Sequence, residues 1–156
     1  MTNILYDKVF GSNLDNNKIF LQTEEEQVSY KNFTILTNKI ANILVSQGLN
    51  PGDRVAAQVE KSITQLALYA ATIKAGGVYL PLNTAYTPHE LNYFISNARP
   101  KIIVTAKDTM GDLEKLFSSA QAVFLTLNAD GTGSLSDKLK MSETNFEAAN
   151  RSKQDL

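Results

Sequence analysis

Cysteine is absent from the 156 residues. Disulfides, thiolate metal sites and cysteine nucleophiles are therefore excluded. Histidine occurs once, at His89, so no histidine cluster can bind a metal. Neither sign of charge dominates: 15 basic and 16 acidic side chains nearly cancel. Without a basic block, the electrostatic footprint of a nucleic-acid binder is missing. No apolar run is long enough to span a membrane, and Met1–Phe10 carries Asp7 and Lys8, unlike a signal peptide. The expectations are a cytoplasmic location, no nucleic-acid partner and no membrane span. The common phosphate-binding patterns are missing too. There is no G-x-x-x-x-G-K-[ST], and no G-x-G-x-x-G follows the first strand-like run.

What is present is an ordinary globular composition, 43% hydrophobic and 20% charged, at the length of one domain. Two β-prone runs, Lys18–Gln22 and Gln27–Tyr30, flank the acidic stretch Thr23–Glu26 and read as a surface hairpin. Tyr30, Phe33, Leu36, Ile40, Ile43 and Leu44 then recur at helical spacing. Gly48 and the Pro51-Gly52 turn close that helix.

A strand–helix alternation follows. Val55–Val59 is a strand, and Ile63–Lys74 a helix opened by a Ser62/Gln65 capping box and stopped at Gly76-Gly77. Val78–Leu82 is the next strand. Thr87-Pro88-His89-Glu90 starts a helix with an apolar stripe of Leu91, Phe94, Ile95 and Ala98, ended by Pro100. Ile102–Val104 is a third parallel-type strand. Thr109–Ser118 reads as a helix facing inward through Met110, Leu113, Leu116 and Phe117, and Ala122–Thr126 as a fourth strand. Apolar, unalternating strands in this rhythm predict an α/β fold with a mostly parallel sheet. Asn128–Ser136 reads as a loop, and Met141–Leu156 as a polar tail with Phe146 and Leu156 as its large apolar anchors. The division expected is 1–127 for the α/β part and 128–156 for a loop and connecting tail.

Candidate chemistry is thin. Gly131-Thr132-Gly133-Ser134 lacks a clear strand-to-helix context and reads as a flexible surface turn rather than a phosphate site. His89 shows no orienting partner and reads as a solvated side chain. Glu24-Glu25-Glu26 fits a hairpin tip better than a metal or acid/base cluster, because neighbours along a strand point to opposite sides. Lys61, Lys74 and Lys101 are isolated, and surface roles suffice for each. No catalytic, cofactor-binding or metal-binding residue is assigned. The loop Asn83–Glu90, leading from a strand's C-terminal end, is the one candidate site-lining segment.

Two segments carry a family resemblance. Val28-Ser29-Tyr30-Lys31-Asn32-Phe33 resembles the Leu-Thr/Ser-Tyr-x-Glu-Leu motif of the adenylate-forming superfamily, with Asn32 in place of the usual Glu. Ile73-Lys74-Ala75-Gly76-Gly77-Val78-Tyr79-Leu80-Pro81-Leu82-Asn83 is similar to its Leu-Lys-Ala-Gly-Ala-Tyr-Leu-Pro-Leu-Asp/Asn motif. Gly52-Asp53-Arg54-Val55, lying between them, also fits. The superfamily includes acyl-CoA synthetases, peptide-synthetase adenylation domains and luciferases. Within it, Gly52–Val104 most resembles malonyl-CoA synthetases, above all from Gly77 to Thr87.

The resemblance implies the incomplete N-terminal subdomain of an acyl-CoA synthetase-like fold. It also implies a parent activity that converts a carboxylate, ATP and CoA to acyl-CoA, AMP and pyrophosphate, with Mg²⁺ screening the phosphates. The family's Thr-Ser-Gly-Thr-Thr-Gly phosphate loop would begin shortly after a segment like Gln154-Asp155-Leu156 and does not occur in the 156 residues. The expectation is a fragment that is inactive alone and binds no ATP, Mg²⁺ or CoA by itself. Its partner would be the remainder of the synthetase, and exposed apolar surface would favour self-association. Two alternatives stay open: a subunit completing a separately encoded synthetase chain, and an independent flavodoxin-like domain.

Overall fold

The computed structural model describes residues 3–117 and 121–155. Its helices are α1 Ile4–Phe10, α2 Tyr30–Ser46, α3 Ile63–Lys74, α4 Pro88–Ala98, α5 Lys107–Leu116 and α6 Ser134–Leu139. Its strands are β1 Ile19–Gln22, β2 Gln27–Ser29, β3 Arg54–Gln58, β4 Val78–Pro81, β5 Ile102–Thr105 and β6 Val123–Thr126. β1 and β2 form the antiparallel hairpin, closed by Thr23 N–H donating to the Glu26 carbonyl at 2.9 Å. The other four strands form one parallel sheet in the order β4-β3-β5-β6. This is the α/β architecture read from the sequence.

The central strands explain their composition. β3 is buried from Val55 to Gln58 and β5 throughout, so both faces must be apolar. Val55, Ala57, Ile102 and Val104 pack under α2 and α3. Ala56 and Ile103 point the other way and meet Leu91 and Ile95 of α4 and Leu113 of α5. The two-residue period of the strands thus divides one sheet between two helical layers.

Local chemistry sets most helix ends. Thr87 and Glu90 form the full reciprocal capping box at α4, with Pro88 at its first position. At α3, Ser62 accepts from the Gln65 N–H at 3.0 Å, but Gln65 does not return the bond; its Nε2 donates to the Tyr79 hydroxyl at 2.8 Å. Tertiary packing claims the side chain, and the box is half made. Gly76 stops α3 at φ +81, with Gly77 N–H donating to the Thr72 carbonyl at 2.8 Å.

Other expectations need correction. α5 begins two positions before Thr109, and Ser118 lies outside the described residues. Leu113 and Phe117 are buried, but Leu116 is 45% exposed. The Asn128–Ser136 loop gives way to α6 at Ser134, whose Leu135 is fully buried in the core. The helix α1 has no counterpart in the sequence reading. It is seven residues long, below the length at which periodicity speaks, and is capped by the Asn3 side chain accepting from Tyr6 N–H at 3.1 Å.

The polar stretch after α6 lies against the domain. Asn38 donates to the Thr144 carbonyl at 2.8 Å, and Asn42 to the carbonyls of Glu143 and Asn145 at 3.0 and 2.9 Å. Phe146 packs against the main core, and Ala149 N–H donates to the Lys74 carbonyl at 2.9 Å. Its polarity suits a segment held largely through backbone carbonyls rather than through a buried apolar stripe.

Lys74 is the largest departure. It is only 6% exposed, inside the domain. Its ammonium donates to Asn38 Oδ1 and stands 4.9 Å from the centre of the Tyr6 ring. Burial lowers its pKa, and Asp7 opposes that shift. A helical-wheel position near a helix end cannot reveal this, because the covering helix α1 lies far earlier in the chain.

Candidate functional site

The chain leaves β3 for β4 on one side and then crosses to β5 on the other. Successive connections therefore diverge between β3 and β5. Open parallel sheets bind ligands in the crevice at such a point, beyond the C-terminal strand ends. A cleft of about 880 Å³ lies there, lined among others by Gln58, Thr84, Lys107, Thr109, Asn128 and Asp130.

Each wall has a local origin. Gln58 is the last residue of β3, 6% exposed, and its Nε2 donates to the Asn83 carbonyl at 3.1 Å. Its Oε1 is buried with no hydrogen-bond partner among the described residues. Asn83 in turn accepts the Ala85 N–H at 2.9 Å through its own side chain. This holds the start of the loop that supplies Thr84. The first turn of α5 opens into the cleft from β5. Asn128 Oδ1 accepts the Lys107 N–H at 2.9 Å, which ties the loop after β6 to that helix. Asp130 accepts from both the backbone N–H and the hydroxyl of Thr132, which holds its carboxyl below the usual range. The hydroxyls of Thr105 and Thr109 are 2.7 Å apart, and Thr109 also donates to the Ala106 carbonyl.

The arrangement is one of hydrogen-bonding groups and charges. It offers amides, hydroxyls, a helix N-terminus and the charges of Glu60, Lys107, Asp108 and Asp130, with no activated nucleophile and no histidine among its lining residues. Among the described residues no group of three His, Asp or Glu side chains could hold a metal ion. The lone His89 is exposed in the first turn of α4. Glu24, Glu25 and Glu26 are exposed at the hairpin tip. The loop from Asn83 reaches the cleft through Thr84, while Thr87 and Glu90 are spent on the helix cap. The sequence reading missed Gln58. Its signal was a polar side chain ending the otherwise apolar run Val55–Ala57 at the C-terminal tip of a buried strand.

The chain belongs to the AMP-binding enzyme family, an adenylate-forming class, whose model matches residues 12–155. More particularly, it is similar to MatB from Rhodopseudomonas palustris, in both its apo and its ATP-bound structure. The likeness is 42% identity and a TM-score of 0.95 over 100% of this chain and 31% of MatB. Gramicidin S synthase 1 from Brevibacillus brevis is 28% identical over 91 residues, 58% of this chain and 8% of that protein. The chain thus spans less than a third of the length of these relatives. An independent flavodoxin-like domain is not favoured, because the match runs through the whole chain rather than through the strand order alone. No described helix is long and apolar enough to cross a membrane.

Proposed function

We propose that the chain serves as the N-terminal part of an ATP-dependent acid–CoA ligase of the malonyl-CoA synthetase type. The observation that carries this is the 42% identity to MatB at a TM-score of 0.95 along the entire chain. The likeness of Gly77–Thr87 to malonyl-CoA synthetases agrees with it. In such a reaction a carboxylate oxygen attacks the α-phosphorus of ATP and pyrophosphate leaves. The CoA sulfur then attacks the acyl carbonyl and AMP leaves.

In this reading the chain's share is scaffold and binding surface. The cleft beyond β3 and β5 is the face it turns toward the substrates, with Gln58, Thr84 and the start of α5 as hydrogen-bonding groups. The complete reaction also uses Mg²⁺, which screens the phosphates of ATP. Its partner is that remainder, covalently joined or separate, and its location is the cytoplasm.

A graft tests the proposal. Residues 1–155 replace the matching third of R. palustris MatB, and malonate-dependent AMP release is followed with ATP, Mg²⁺ and CoA. The graft is expected to keep kcat/KM within about tenfold of the parent, a loss of roughly 1.4 kcal/mol in transition-state stabilisation. The 156-residue chain alone is expected to release no AMP above background. A folded graft without malonate-dependent activity overturns the proposal.

A further inference from the structure

The stretch after α6 is held on α2 largely through its backbone. Asn38 and Asn42, four positions apart, share one face of α2. Asn38 Nδ2 donates to the Thr144 carbonyl at 2.8 Å, and Asn42 Nδ2 to the carbonyls of Glu143 and Asn145 at 3.0 and 2.9 Å. The Ser142 hydroxyl donates in return to the Lys39 carbonyl at 2.8 Å. Every residue offers a backbone carbonyl, so these amides hold residues 143–145 without by themselves setting the register.

One of the two amides is fixed from beneath. Asn38 is 8% exposed, and its Oδ1 accepts from the buried Lys74 ammonium. An ammonium can only donate and a carbonyl can only accept, so a single orientation of the amide serves both neighbours. The flipped amide would set Nδ2 against the ammonium and Oδ1 against the Thr144 oxygen. The ammonium is itself held, 4.9 Å from the centre of the Tyr6 ring, and Asp7 of α1 favours its charged form. Lys74 meets the same stretch a second time, because its carbonyl accepts the Ala149 N–H at 2.9 Å. Between the two points Phe146 packs against the main core.

We infer that the buried Lys74 ammonium is a latch: by orienting the Asn38 amide it sets the register of residues 142–147 on α2, and its removal frees that strap while the α/β core stays folded. Lys74 is thus a positioning residue acting through Asn38. A side chain that merely filled space would be replaced by an unbranched apolar one without local consequence. The latch also accounts for a charge kept in the interior, where a hydrophobic side chain of the same length would avoid the desolvation cost.

The test uses three variants of the 156-residue chain. Lys74→Met keeps the stem and removes the donor. Asn38→Asp keeps an acceptor for the ammonium but has no N–H for the Thr144 carbonyl. Ile102→Val, in buried β5, is the control for a small general loss of stability. Cleavage after Glu143 by a glutamate-specific protease is followed by mass, beside the urea midpoint of each variant. Cleavage is expected to quicken by about tenfold or more in Lys74→Met and in Asn38→Asp, and not in Ile102→Val. Wild-type cleavage rates in Lys74→Met overturn the latch. Wild-type rates in Asn38→Asp alone overturn the relay through Asn38. An equal rise in Ile102→Val traces the effect to general destabilisation and overturns the inference as well.

Discussion

Gly133→Ala is expected to destabilise the domain by about 3–4 kcal/mol, the range of backbone strain combined with overpacking. The residue has φ +131, a region L side chains rarely adopt. A Cβ there would overlap the Thr126 carbonyl oxygen and lie 2.7 Å from the carbonyl carbon. The obstacle is the backbone of β6, which cannot swing aside as a side chain can. The close approach has a purpose: Thr126 N–H donates to Ser134 Oγ at 2.9 Å, and Ser134 N–H donates to Thr126 Oγ1 at 2.7 Å. Those bonds tie α6 to the edge strand and seat Leu135 in the core. The flexible turn read from Gly131–Ser134 is thus a pinned corner at its second glycine. Gly131 is the internal comparison, with φ +79 but nothing within 4 Å of a Cβ. Gly131→Ala should cost only about 1 kcal/mol. Urea unfolding of both variants decides the matter, and equal losses would show that β6 yields.

Lys74→Ala is the second large effect, an expected loss of about 3 kcal/mol. Charged hydrogen bonds contribute about 1.5–3 kcal/mol and a desolvated cation over a ring about 2 kcal/mol. Against these stands the desolvation of the ammonium, of similar size. Truncation forfeits the favourable contacts, opens a cavity and leaves Asn38 Oδ1 unpaired, so the loss is large. Lys74→Met keeps the stem and removes the desolvation cost as well. It should lose only about 1 kcal/mol near neutrality.

The balance moves with pH. Because burial lowers the folded pKa of Lys74 below 10.5, the unfolded chain binds more protons between the two values. Wild type should therefore gain on Lys74→Met as pH rises toward 10.5. Tyr6 acts in the opposite direction. Burial pushes its hydroxyl from 10.0 up to about 12, so across that window the unfolded chain releases a proton the folded one retains. About 2 kcal/mol of stability should disappear there, and Tyr6→Phe should be spared that loss. Urea midpoints at neutral pH, just below 10 and near 12 separate the two groups. A Tyr6→Phe curve parallel to wild type above pH 10 would contradict the assignment to Tyr6.

Much of this was legible in one dimension. The hairpin, the helices from Tyr30, Ile63 and Pro88 and the four strands follow from period, turn chemistry and caps, all of which act within a few residues. Thr87 and Glu90 are three positions apart, so their reciprocal bonds are written in the chain. The motifs around Tyr30 and Gly76 led to the right family for the same reason: they are contiguous. Of the candidate cleft, only the loop from Asn83 was named from the sequence, and it lines the cleft through Thr84.

What sequence alone determined, then, was the kind and order of the elements from β1 to β6, the exclusion of thiol chemistry that rests on a missing residue type, and the adenylate-forming family. Only the tertiary structure decided which polar residues are interior. Lys74 is covered by α1, Asn38 reaches Thr144, Gln65 leaves its cap for Tyr79, and Gln58 is buried at the cleft beyond the strand ends. Those outcomes depend on partners up to 106 positions away, as between Asn38 and Thr144, and no local period encodes a contact of that range.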